Sequence, residues 1–192
     1  MVHRWLTPGR MAVLAIAVAC APAAAQETPA PAAAAAPAAN PADVESPEAM
    51  MDALYDVITG PSSQARDWNR FRSLFLPGAR LIYLQVTPDG NAIAHPLPVE
   101  DFIRLAGPGY TQGAGFWETG IGRRIDRFGN VAHVFSAYES RTTAPDGPVA
   151  ARGINTVQLV RQQGRWWVAS MTWDEERPDN PIPAEYLVQP NP

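Results

Sequence analysis

The side chains of this sequence best suited to acid–base chemistry are a few carboxylates set in apolar alternation and one histidine, His133, inside a strand pattern. The turn Gln163-Gly164 fixes how the flanking stretches pair. A two-residue turn sets Gln162 opposite Arg165. Continuing outward, Val160 faces Trp167, Gln158 faces Ala169, Thr156 faces Met171, Ile154 faces Trp173 and Arg152 faces Glu175, all on one face. That face is mostly apolar and holds Arg152, Gln158 and Glu175 beside Trp167 and Trp173. The opposite face, with Asn155, Arg161, Trp166, Ser170, Thr172 and Asp174, reads as wetter.

The preceding strand carries His133, Phe135, Glu139 and Arg141 on one face and Val134, Ser136 and Tyr138 on the other. The long turn at Ala144 to Pro148 leaves open which of them looks inward; if Glu139 opposes Arg152, the first face joins the pocket. A carboxylate in an apolar pocket acquires a shifted pKa, and a donor opposite it can stabilise an oxyanion. Glu139 or Glu175 is then the candidate base, and His133 or Tyr138 the candidate donor. Glu118 follows the pair Phe116-Trp117 and is a further acid near the mouth, buried or exposed. The alternative reading is structural. Arg152 and Glu175 make a cross-strand ion pair, Glu139 and Arg141 a solvated rim pair, Gln158 satisfies backbone, and His133 simply packs.

Composition excludes other chemistries. All fifteen basic residues are arginine, so Schiff-base, pyridoxal-phosphate and phosphate-loop lysines are absent. Cys20 is the one cysteine. A chain cleaved after it has no disulfide and no thiolate nucleophile. The two histidines beyond the leader, His95 and His133, lie 38 positions apart and give no zinc spacing. Ser136, Ser140 and Ser170 lack a nucleophile-elbow context. No metal and no cofactor is expected. The net charge of −4 offers no basic face for nucleic acid.

The N-terminus reads as a signal peptide over residues 1–25. His3, Arg4 and Arg10 form a basic leader, Met11 to Cys20 is an apolar stretch too short to span a bilayer, and Ala23-Ala24-Ala25 precedes the expected cleavage at Gln26. Export to the periplasm or the medium follows. Ala17-Val18-Ala19-Cys20 is a degenerate lipobox, and a lipidated Cys20 would tether the protein to a membrane instead. Residues 26–45 are Ala/Pro-rich and read as a disordered linker.

Order is expected from Ser46, an N-cap before Pro47 and Glu48, with Met51, Leu54, Tyr55 and Ile58 on one helical face and Gly60-Pro61 as the stop. A second helix begins near Ser62 or Ser63, carries Trp68, Phe71, Leu74 and Phe75 inward, and stops at Pro77-Gly78. A strand over 79–86, a turn at Thr87 to Gly90 and a short helix over 99–105 follow. Four antiparallel strands over 116–128, 131–142, 151–161 and 165–175 complete the domain, and residues 177–192 form a Pro-rich tail.

Trp68 followed by Leu74-Phe75-x-Pro77-x-Ala79, then Gly164-Arg165-Trp166-Trp167 and Trp173, resembles the nuclear-transport-factor-2-like superfamily, which includes SnoaL-like and ketosteroid-isomerase-like domains. The stretches FWETGIGRRIDRFGNVAHVFSAYESR and RGINTVQLVRQQGRWW are similar to an exported bacterial group of it. The resemblance covers residues 46–176. It implies an α+β fold, a curved antiparallel sheet wrapped on N-terminal helices into a cone, as in cystatin-like rolls. It implies a pocket and not a chemistry, since the superfamily holds isomerases, dehydratases, binders and interaction modules. The expected function is binding of a small apolar molecule or a protein partner, including a homodimer through the sheet face, without catalysis. The alternative is an acid–base enzyme of the isomerase or dehydratase type.

Overall fold

The structure is a computed structural model and describes residues 36–187. The expected signal peptide, Cys20, most of the Ala/Pro linker and the last five residues lie outside the described residues. Order begins before Ser46. Pro41–Val44 form one helical turn, α1, capped by the Asn40 side chain, which accepts from the Ala42 N–H at 3.2 Å. Val44 is buried, and the Asp43 carboxylate accepts from the Arg70 guanidinium at 2.8 and 3.0 Å. Helix propensity cannot show this docking, because the partner of Asp43 lies 27 residues away.

Helix α2 spans Pro47–Ile58. The Ser46 hydroxyl accepts from the Ala49 N–H at 3.0 Å, as the cap spacing predicts. Met51, Leu54, Tyr55 and Ile58 are buried on its inner face. Strand β1, Gly60–Pro61, follows. Helix α3 is shorter than expected, Trp68–Leu74, with Asp67 as its N-cap. Residues 62–67 are turn because Arg66 is drawn inward. Its guanidinium donates to the carbonyls of Ile58 at 2.7 Å, Gly60 at 2.5 Å, Gln64 at 2.7 Å and Tyr110 at 2.9 Å. A buried cation with no carboxylate partner among the described residues thereby caps the end of α2 and binds it to the segment carrying Tyr110.

Strand β2, Phe75–Val86, starts before the Pro77-Gly78 expected to end a helix, and forms a hairpin with β3, Ala92–Pro98. Sequence patterning missed β3 because it contains Pro96 and Pro98. It is the last strand of the sheet, where a residue without an N–H is tolerated. Helix α4, Val99–Ala106, and a 3-10 turn, Gly107–Thr111, precede β4 (Gly115–Phe128), β5 (Val131–Arg141), β6 (Ala151–Gln162) and β7 (Arg165–Glu175).

The seven strands run in the order β1-β4-β5-β6-β7-β2-β3. All neighbours are antiparallel except β2 and β7, which run parallel, so the sheet is mixed rather than wholly antiparallel. It is curved and unclosed, with the helices on its concave side. Gln163 and Gly164 both have positive φ, 53° and 79°, as a two-residue hairpin turn demands. The core joins the apolar face of α2 to Phe71, Phe75, Leu81, Val134, Val157, Leu159, Trp166 and Val168. The α+β cone expected from the sequence is the fold observed.

Candidate functional site

Between α2, α4, the 3-10 turn and the concave sheet face lies a cavity of about 330 Å³. Its walls are largely aromatic. Phe71 stacks on Phe102 with ring centres 5.5 Å apart, Phe102 meets Trp173 edge-on at 6.1 Å, and Tyr110 meets Phe116 at 4.8 Å. Glu118 lines this cavity from β4. Phe116, two positions earlier, shares its face, which is how the strand turns a carboxyl toward the helices. The backbone of Glu118 is clamped by Thr59, whose hydroxyl accepts from its N–H and donates to its carbonyl, both at 3.1 Å. Burial pushes the carboxyl up to about 7, opposed by the Asn155 amide, which donates to Oε1 at 3.3 Å. No other described side chain donates to this carboxyl.

Asn155 also donates to the Tyr55 hydroxyl at 3.3 Å, and Tyr55 donates to Ser136 at 2.7 Å. This chain of polar groups runs from the sheet to α2 beneath the cavity. Burial pushes Tyr55 up to about 12, and pushes Tyr110 and Tyr138 above the ordinary phenol range. Tyr138 is a buried residue of the wall, and its hydroxyl has no hydrogen-bond partner among the described residues. On its far side Glu118 borders a surface cleft with Thr59, Trp117 and Arg141. Among the described residues no group of three or more His, Cys, Asp or Glu is arranged to hold a metal ion.

Of the residues singled out in the sequence, Glu118, Tyr138, Trp173 and Glu175 line the cavity. The others lie on the outer face, and one irregularity explains most of the difference. The hairpin pairs as expected at Gln162 with Arg165 and Val160 with Trp167, but a bulge at Ala169 then sets Gln158 opposite Ser170 and Asn155 opposite Trp173. One extra residue exchanges the faces. Trp173 and Glu175 face inward with Asn155, not with Ile154 and Arg152. Trp167 is turned outward under the Arg165 guanidinium, 3.6 Å from the ring centre. Gln158 faces outward and contacts the ring nitrogen Nδ1 of His133, while His133 packs on Phe135 at 4.9 Å. Arg152 pairs with Glu176 at 3.2 Å rather than with Glu175. Glu139 does oppose Arg152, but on the outer face, so the inner face of β5 is the one with Val134, Ser136 and Tyr138. Glu139 and Arg141 form a pair at 2.5 Å there. The tail covers part of this outer face, with Tyr186 stacked on Phe135 at 5.1 Å.

Asn155, Tyr55 and Tyr110 are the site groups that sequence reasoning did not single out, and Glu118 was read as a further acid near the mouth with its burial left open. For Glu118 the signal was present in the spacing to Phe116. Asn155 was hidden by the bulge, and Tyr55 read only as core.

No protein-family model matches the chain, and no curated protein matches it. Solved structures do. A protein of unknown function from Mycobacterium tuberculosis aligns with 16% identity over 73% of this chain and 79% of that one, at a TM-score of 0.50. A protein of unknown function with a cystatin-like fold from Nostoc punctiforme aligns with 12% identity over 70% and 90%, also at 0.50. A nuclear-transport-factor-2-like protein of unknown function from Silicibacter pomeroyi aligns with 12% identity over 67% and 92%, at 0.44. At these identities the likeness concerns fold alone. The domain has a cystatin-like α+β fold.

Proposed function

We propose that this domain binds a small, largely apolar molecule inside the cone, with Glu118 as its principal polar contact. The observation that supports this is the cavity itself: about 330 Å³, rich in aromatic rings, with the carboxyl of Glu118, whose backbone Thr59 clamps, turned into it. Binding sites of this kind combine apolar walls with a few fixed polar groups. Titration with the uncharged fluorophore N-phenyl-1-naphthylamine tests the proposal. Saturable one-to-one binding that is lost on filling the cavity with Ala106→Trp supports it. Binding unchanged by that substitution contradicts it.

A second reading is an acid–base enzyme of the isomerase or dehydratase type. It is favoured by the carboxyl pushed to about 7, near the value at which a general base works at neutral pH, and by the unpartnered Tyr138 hydroxyl. Glu118 would take a proton from the substrate, and Tyr138 would donate to the developing oxyanion. In that case Glu118→Gln removes turnover far more than affinity; an active Gln variant contradicts the assignment. The protein is further proposed to act outside the cytoplasm, on the strength of the basic leader, apolar segment and small residues before Gln26.

A further inference from the structure

We propose that the cone selects a hydrophobic amine, whose apolar body fills the cavity and whose ammonium group meets Glu118. The inference rests on the cavity being a ligand site and narrows its occupant.

The charge of the wall is one-sided. Glu118 and Glu175 line the cavity, and among the described residues no arginine or histidine does. Arg141, across the wall in the outer cleft, is already engaged by Glu139 at 2.5 Å. An anionic ligand would give up its hydration and meet the desolvated Glu118 carboxylate, with the exposed Glu175 carboxylate also on the lining, and find no counter-ion there. A cation meets the reverse situation.

The aromatic walls act in the same direction. Tyr110, Phe116, Tyr138 and Trp173 surround the space beside the two acids, and aromatic faces attract an ammonium group through their quadrupole. The ionised carboxyl only accepts, and a phenol hydroxyl can accept as well as donate. Glu118 receives one long bond, 3.3 Å from Asn155, and the hydroxyl of Tyr138, a residue only 5% exposed, is unpartnered among the described residues. An ammonium supplies several donors to such acceptors; a ketone or a carboxylate supplies none.

Three probes of one shape separate these effects: 1-naphthylmethylamine, 1-naphthalenemethanol and 1-naphthoate, titrated into the mature chain above the titration of Glu118. The amine should bind about tenfold or more tightly than the alcohol, the scale of a desolvated charge pair, and the carboxylate should bind least. In Glu118→Gln the ratio of amine to alcohol affinity should fall to near unity, a ratio insensitive to any loss common to both probes. A carboxylate that binds as tightly as the amine overturns the proposal, as does a Gln variant that keeps the amine's margin. If the alcohol binds and the amine shows no margin, the amine assignment alone falls. If no probe binds, the reading of the cavity as a ligand site falls with it.

Discussion

Replacing Glu118 by glutamine should make the domain more stable at alkaline pH and remove a pH dependence that the native chain carries. The carboxyl has an ordinary value of 4.5 and is pushed up to about 7 by burial. Its folded value lies above its unfolded one, so the folded chain holds the proton more tightly. Stability from this group is therefore present below about pH 4.5 and is lost as pH rises through about 7. Between about pH 5 and about pH 8 the loss amounts to about 2–3 kcal/mol. Glutamine keeps an oxygen for the Asn155 amide and never ionises, so the variant lacks this slope. Tyr55, Tyr110 and Tyr138 near the site are raised by burial and stay protonated across this range in both chains. Urea unfolding of both proteins across this range measures it directly. The gap between variant and native stability should widen by that amount toward alkaline pH. Parallel curves would refute the burial of Glu118, and a gap that narrows would mean that an unseen cation holds the carboxylate.

Adjacent tryptophans test the sheet register: Trp166, 1% exposed, should cost about 3–5 kcal/mol on replacement by alanine, and outward-facing Trp167 less than about 1 kcal/mol, both read by denaturant midpoint. Tyr55→Phe removes the hydroxyl between Ser136 and Asn155 and should cost about 1–3 kcal/mol, since both partners are buried; a neutral result would mean that water replaces it. Deleting residues 26–44 should lower stability by about 2–3 kcal/mol, because it removes buried Val44 and the Asp43 partner of Arg70; an unchanged melting temperature would mean that α1 does not dock. Intact mass of protein recovered from its host should correspond to a chain starting at Gln26, whereas retention of residues 1–25 would contradict export, and an acylated Cys20 would indicate the membrane-tethered form.

Much of the fold was legible because it is written in local signals. The Ser46-Pro47 cap, the spacing of Met51, Leu54, Tyr55 and Ile58, and the Gln163-Gly164 turn each decide a local conformation with nearby residues. The parallel pairing of β2 with β7 and the edge strand β3 were not, since tertiary position overrides what Pro96 and Pro98 suggest locally. The site was half legible. Period-2 alternation places Trp173 and Glu175 on one face, and they do line the cavity. The bulge at Ala169 is a single unpaired residue with no distinctive side chain, and it exchanged their partners from Arg152 and Ile154 to Gly153 and Asn155. Arg66 could not be anticipated, because its partners are backbone carbonyls that come together only after folding.

The most direct measurement of the central claim is a crystal structure of the mature chain grown with N-phenyl-1-naphthylamine. The expected result is the probe inside the cone, its rings between Phe116 and Trp173 and its N–H directed at the Glu118 carboxyl. Probe density confined to the outer sheet face around Phe135 and Trp167, with the cone empty, would contradict it.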